Sequence, residues 1–302
     1  MIKKISIVAD SDIGNLIEAL AATGLPVISE YELGRVIFLK LSASTEERNE
    51  LFRPVIEHLQ TLKIFVPLSL GGATHAYQLF GHSTASAQQI ACALDPFAYV
   101  SHLSAMEYHG LTDRFPKILY LTRPTAGEWK QQAEEKMRRD LGERYEEYLA
   151  SRLPRLVRPK LSKIAQVNLH FQERSQLGAF KHVSGSNLRV ATIGRVFLEM
   201  TREPQLCGGI QHVVDIFSSN AKQYLRLIVD EYERHGKAID KVRAGYLLTE
   251  VCGLTDSVVE SWLQFAQRGG SRKLDPEAEY APDFSERWKL SLNVPSLVGH
   301  DE

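Results

Sequence analysis

Apolar residues recur along most of this chain at the three- and four-residue spacing of an amphipathic helix, broken by short β-prone runs. Residues 11–23 predict a first helix, with Ser11 placed to cap it and Gly24-Leu25-Pro26 to stop it. Between Ser29 and Leu41 the spacing is mixed, so helix and strand both fit. Ser44-Thr45-Glu46-Glu47 is a capping box: the serine oxygen can accept the third helical N–H while Glu47 reaches back to the cap. Behind it Leu51, Phe52, Val55, Ile56, Leu59 and Leu62 line one helical face. Pro54 either kinks that helix or opens a new one at a first turn, where a missing N–H costs nothing. Ile64–Pro67 and Ala76–Phe80, on either side of a Ser-Leu-Gly-Gly turn, read as a β-hairpin.

Helix, helix, helix and hairpin over residues 1–82 is the order of a winged helix-turn-helix, which puts one helix in the major groove and its hairpin on the backbone. The same pattern also fits any small α+β domain. Further on, Ser83–Leu94 and Phe97–His109 predict two helices, the second opened by Asp95-Pro96 and closed by Gly110. Lys117–Thr122 predicts a strand, and about Ala126–Ala150 a long polar helix. Its pairs Glu134–Arg138, Glu135–Arg139 and Asp140–Arg144 have the stabilising acid-first order, which suggests a solvated excursion. Strands follow near Gln166–Phe171 and Leu188–Ala191. Helices then dominate: one ending near Arg202, then Gln211–Gly236, Lys241–Glu250 and Asp256–Arg268. Residues 275–302 are acidic and poorly periodic, a loosely packed tail in which Trp288 and Leu290 are suited to dock. The expected class is α+β, mostly α, with a winged helix at 1–82, a helix-rich α+β domain at 83–274 and a C-terminal tail at 275–302.

Composition adds limits. At 302 residues the chain exceeds one average domain. Cys92, Cys207 and Cys252 lie far apart, without CxxC spacing or a histidine pair beside them, so reduced core thiols are expected instead of disulfides or zinc. Neither a signal peptide nor a run of roughly 18 apolar residues stands out, and a cytoplasmic protein with no membrane partner is expected. The net charge of −1 gives no global case for nucleic acid, and residues 1–82 hold seven bases against nine acids. Local charge differs. Arg152, Arg155, Arg158, Lys160 and Lys163 fall in a stretch with no acid between Glu147 and Glu173, interrupted by two prolines. This is either a basic arm for phosphates or a wet connector whose cations pair with neighbouring carboxylates.

In a groove-reading arrangement the helix after Ser44 or the one after Pro54 enters the DNA. Thr45, Arg48 and Asn49 then point from the first, solvent-facing turn: arginine suits guanine, asparagine suits adenine and a threonine hydroxyl suits a phosphate. Arg53 fits either helix, Lys63 flanks the wing, and His75 at the hairpin is within reach of a phosphate. An ordinary capped surface helix accounts for the same residues. His102 and His109, seven apart, suit aromatic packing better than metal, because no cysteine or carboxylate joins them at ligand spacing. Gly208-Gly209 separates two helices and lacks the G-x-x-x-x-G-K pattern. The Gly-rich stretch Leu70–His82 lacks the paired carboxylates that two-metal nucleotidyl transfer needs. No G-x-S-x-G, H-E-x-x-H or dinucleotide fingerprint occurs. A non-enzyme with no cofactor and no metal is expected.

Two blocks carry a resemblance. Tyr99-Val-Ser-His-Leu-Ser-Ala-Met-Glu-Tyr-His-Gly-Leu-Thr-Asp113 is followed by Pro116 and the strand Ile118–Thr122. Val190-Ala-Thr-Ile-Gly-Arg-Val-Phe-Leu-Glu-Met-Thr-Arg-Glu-Pro204 continues through Leu206–Val214 and closes with Arg243-Ala-Gly-Tyr-Leu-Leu-Thr-Glu250. Together, over about residues 83–254, they resemble the AbiEi family, the antitoxins of type IV toxin–antitoxin systems in bacterial phage-defence loci. The resemblance implies an N-terminal winged helix, an antitoxin domain and an autorepressor that binds double-stranded operator DNA upstream of its own operon. It also implies a nucleotidyltransferase-type toxin as functional partner, without a stable complex; it leaves homodimerisation open. The polar helix and basic arm at about 126–163 and the acidic tail depart from that pattern, and the N-terminal domain matches by architecture more than by sequence. A subunit that binds a protein partner and no specific DNA is the alternative.

Overall fold

A capped, amphipathic N-terminal segment builds the first layer of the fold. The computed structural model describes residues 10–41, 44–68, 70, 75–81, 85–267 and 272–297. Its elements are α1 (Asp10–Ala22), β1 (Val27–Ser29), α2 (Glu30–Lys40), α3 (Thr45–Thr61), β2 (Phe65–Pro67), β3 (Ala76–Leu79) and α4 (Ala87–Leu94). Then come β4 (Tyr99–Val100), α5 (His102–Tyr108), β5 (Ile118–Pro124), α6 (Ala126–Leu141), α7 (Tyr145–Ala150), β6 (Lys163–Ile164), β7 (Val167–Arg174), β8 (Phe180–His182) and β9 (Arg189–Ala191). The chain continues through α8 (Ile193–Arg202), α9 (Ile210–His235), α10 (Ala238–Tyr246), α11 (Ser257–Ser261), β10 (Phe284–Ser285) and β11 (Leu290–Ser291). Pairing gives a three-stranded sheet in the order β1-β3-β2, a six-stranded sheet in the order β6-β7-β5-β4-β9-β8, and the β10-β11 ribbon. The class is α+β, mostly α.

The chain divides into two compact units: Met1–Tyr99 with Thr122–Leu177 and His182–Arg189, and Val100–Leu121 with Gly178–Lys181 and Val190–Glu302.

In the first unit, Ser44 accepts from the Glu47 N–H and Glu47 accepts from the Ser44 N–H, so the capping box forms as expected. α3 runs unbroken through Pro54, so the two helices weighed on either side of that proline are one. α2 takes the helical alternative, capped by Ser29. β2 and β3 pair antiparallel, Phe65 opposite Leu79 and Pro67 opposite Tyr77. Of the turn expected between them, Gly71 and Gly72 lie outside the described residues, as do His82, Ser83, Arg268, the side chains of Ser11 and Thr45, and residues 298–302 of the tail.

The core gathers Leu16 and Leu20 of α1, Leu33 and Ile37 of α2, and Val55 and Leu59 of α3, all buried. It also takes in α6, which corrects the solvated-excursion expectation. Trp129, Ala133, Met137 and Leu141 recur every four residues and form a buried stripe. Gly142, at φ 55°, ends α6. The helix therefore cannot carry the Asp140–Arg144 pair: Asp140 bonds Lys136 at 2.6 Å, and Arg144 turns to Glu147 at 2.9 Å. Glu134–Arg138 does form, at 2.9 Å. Tyr148 of α7 is fully buried and meets the rings of Tyr31 and Phe38 edge-on. A Cβ at Gly34 would meet the Tyr148 hydroxyl and Pro154, so glycine permits this close approach.

In the second unit, the helix expected at Phe97–His109 is replaced by β4 and the shorter α5. The break is at His102, whose φ of 51° is left-handed. His102 and His109 consequently do not share a helix face. His102 is buried, with Nδ1 at 2.9 Å from Ser101 and Nε2 at 2.9 Å from Glu203, while His109 Nε2 meets the Ala191 carbonyl at 2.7 Å. α8 crosses α9 so closely that a Cβ on Gly194 would run into the Leu227 carbonyl. Arg195 is buried, 3.2 Å from Glu199 and 3.8 Å from Glu231. Residues 275–297 are not a loose tail. Trp288, Leu290 and Val294 are fully buried, and the Trp288 ring occupies the space that a Cβ at Gly245 would need.

Candidate nucleic-acid interface

The face that α3 turns outward is set by its apolar stripe. Leu51, Phe52, Val55, Ile56 and Leu59 face the core, which leaves Glu47, Asn49, Glu50, Arg53 and Glu57 exposed. Arg48 was expected among the outward groups and is instead turned inward. It stands four residues before Phe52 and seven before Val55, so it shares their stripe. Its guanidinium lies 2.5 Å from Glu147 of α7 and 4.7 Å over the Phe38 ring, with 8% of the side chain exposed. Arg144 stacks on the same ring at 4.3 Å. Its hydrogen bonds, and then those of Arg48, hold the Glu147 carboxyl down at about 2.

Arg53 does point outward. It is 67% exposed, 3.3 Å from Glu30 at the start of α2. Asn49 and His75 are exposed as well, and Lys63 is exposed in the turn after α3 with a left-handed φ of 57°.

The stretch after α7 is extended, as its prolines require. Its path is fixed by anchors at Leu153, Pro159 and Leu161, which are buried, and by Tyr148, whose hydroxyl donates to the Pro154 carbonyl at 2.5 Å. Arg123 of β5 supports it from beneath by donating to the Pro159 carbonyl at 3.2 Å. Arg123 also lies 4.1 Å from the Phe171 ring, 3.6 Å from Asp95 and 3.5 Å from Glu173. Burial draws its guanidinium below the ordinary arginine range, opposed by Asp95. Asp95 is fully buried and accepts from the Trp129 indole N–H at 2.9 Å.

On this support the cations of the stretch divide. Arg158 is paired with Glu173, and Lys163 donates to Gln166 at 3.3 Å within the β6–β7 turn. Arg152, Arg155 and Lys160 are exposed. A groove of about 410 Å³ brings Arg155, Arg158 and Lys160 together with His75 and with Ser29 and Glu30. Four of the eleven candidate residues therefore line one concavity, and a fifth, Arg53, pairs with its Glu30. Ile164, at the end of the stretch, bridges Leu70 of the hairpin segment. Arg48 and Lys163 are placed elsewhere by their own partners. Neither the Arg123–Asp95–Glu173 support nor the role of Glu147 was singled out from sequence. The available signal was a charged residue inside the largely apolar strand Ile118–Pro124.

No family model matches the chain, and no curated protein matches it. Among solved structures, the chain is similar to the RV2827C protein of Mycobacterium tuberculosis, at 13% identity and a TM-score of 0.47, over 94% of this chain and 92% of that one. A likeness at that level carries no argument about function. Among the described residues, no helix is long and apolar enough to cross a membrane.

Proposed function

We propose that this protein is a DNA-binding regulator, with residues 10–81 acting as a winged helix-turn-helix and the stretch 152–163 as a phosphate-contacting arm. The observation that carries the proposal is topological. The order α1-β1-α2-α3-β2-β3, with β3 between β1 and β2, is what a winged helix requires if α3 is to enter a major groove. Asn49 and Arg53 then read base edges, and His75, Arg155 and Lys160 contact phosphates. The resemblance of residues 83–254 to AbiEi antitoxins extends this reading to an autorepressor that counters a nucleotidyltransferase-type toxin without chemistry of its own.

The test is fluorescence anisotropy with the duplex upstream of the protein's own gene, against a scrambled duplex of equal length. Asn49→Ala with Arg53→Ala is expected to abolish the preference between the two. Undiminished preference would remove α3 from the groove. Co-expression with a neighbouring nucleotidyltransferase gene tests the antitoxin part, where growth rescue is expected.

One observation favours a second reading, a protein-binding subunit. The outward face of α3 carries Glu47, Glu50 and Glu57 against Arg53, a charge balance that repels phosphate. Stoichiometric co-purification with the neighbouring gene product, together with indifference to DNA, would establish it.

A further inference from the structure

The segment Arg155–Arg158 has a second cavity on its other side. This groove, of about 430 Å³, runs along the α6 face that carries Trp129, Ala133 and Met137, and is closed by Tyr145 and Leu149 of α7. Its volume falls in the range of about 300–1,000 Å³ that small-molecule sites occupy. The floor is apolar: Trp129, Ala133, Met137 and Tyr145 are all buried beneath it. Val157 forms part of the wall and is 71% exposed, a large apolar side chain left against solvent. The rim is cationic. Lys130 and Arg155 stand on it and make no ion pair among the described residues, whereas Glu134, the acid of the rim, is committed to Arg138.

The geometry points to a binding site for a small amphipathic anion, a molecule with an apolar chain or ring and a single carboxylate. The apolar body lies along Trp129, Ala133 and Met137, and the carboxylate meets Lys130 and Arg155. A charged head on two unpaired cations and an apolar tail on buried aliphatic and aromatic surface satisfy both halves of the site at once. A neutral lipid would leave the rim unused, and a cationic amphiphile would be repelled by it.

The same four residues, Arg155–Arg158, line both this groove and the one that holds His75 and Lys160. A ligand that fixes their position on the α6 side therefore alters the presentation of Arg155 and Arg158 on the other. This coupling rests on the DNA-binding proposal; ligand binding itself does not.

Isothermal titration of the full chain with decanoate tests the site, with decanol and decylamine as neutral and cationic comparisons. Saturable one-to-one binding of decanoate is expected, and weaker or no binding of the other two. Lys130→Ala with Arg155→Ala is expected to lower decanoate affinity about tenfold, the worth of a charge-assisted contact. Ala133→Trp, which fills the groove, is expected to abolish binding; a thermal melt checks that each variant folds. No saturable binding of decanoate, equal affinity for decanol, or unchanged affinity in both folded variants would overturn the inference. Anisotropy with the upstream duplex, with and without decanoate, then reads the coupling. Decanoate binding without any DNA binding leaves the ligand site standing and rejects the DNA proposal. DNA affinity indifferent to bound decanoate rejects the coupling alone.

Discussion

Two groups of charged residues, one in each compact unit, are used in opposite ways. In the second, Arg195, Glu199 and Glu231 lie between α8 and α9 with side chains no more than 6% exposed, and Arg202 bonds Asp240 at 2.7 Å close by. Burial pushes the Glu231 carboxyl up more than its cationic neighbours pull it down, and its Oε1 has no hydrogen bond. In the first unit, the exposed cations Arg53 and Arg155 stand over an apolar core, one loosely paired and the other unpaired among the described residues. The difference separates charge that specifies packing from charge available to a ligand. A buried ion cluster fixes one arrangement of helices because breaking it strands an uncompensated charge. Surface cations cost the fold little and can exchange water and counterions for phosphates.

The largest expected effect comes from breaking the buried cluster. Arg195→Met leaves Glu199 and Glu231 without their cation and should cost about 3–5 kcal/mol in chemical denaturation. A loss below about 1 kcal/mol would put the cluster on the same footing as surface pairs. Next is Gly194→Ala, which forces a methyl into the Leu227 carbonyl where α8 and α9 touch. About 1–3 kcal/mol is expected, read from the same denaturation curves.

Arg48 tests the border between the two kinds of charge. It is buried, but its partner Glu147 is 39% exposed, so solvent screens the pair. Arg48→Ala should cost about 1 kcal/mol, mostly through lost packing on Phe38, and should leave specific DNA affinity unchanged. A selective loss of affinity at full stability would return Arg48 to the groove-reading set. A smaller effect belongs to acid. The Glu147 carboxyl is held at about 2, below its ordinary 4.5. Its contribution to stability is therefore complete above about pH 4.5 and is lost as pH falls toward 2. Glu147→Gln should flatten that part of the acid-denaturation curve; an unchanged curve would deny the pair a role.

How far the sequence could be read follows the same contrast. Helices whose signals are local were legible: the Ser44–Glu47 box, the α3 stripe and the stop at Gly24 depend on neighbours a few residues away. Arg48 departs from its expected outward position because polarity alone does not give exposure: its spacing from Phe52 and Val55 puts it on the buried face. α6 departs from the solvated expectation for the converse reason. Its ion pairs mark one face as solvated, while the four-residue recurrence of Trp129, Ala133, Met137 and Leu141 marks another as buried. The break at His102 could not be seen at all, because it depends on Glu203 and Glu199, about a hundred residues distant, which hold the His102 ring and backbone N–H. Arg123, Asp95 and Glu173 meet only once β5, β7 and the α4 terminus are in place. The candidate interface depends on that support.

Under the proposed function, surface cations around the hairpin and the extended arm hold DNA through its phosphates. The most direct measurement is the slope of log affinity for the upstream duplex against log salt, for the native chain and for Arg155→Ala with Lys160→Ala. Each lost phosphate contact should reduce the slope by about 0.9, so the double variant should be shallower by roughly two, with unchanged stability and an undisturbed preference for the upstream duplex. Identical slopes for the two proteins, or no salt-dependent binding by either, would contradict the account.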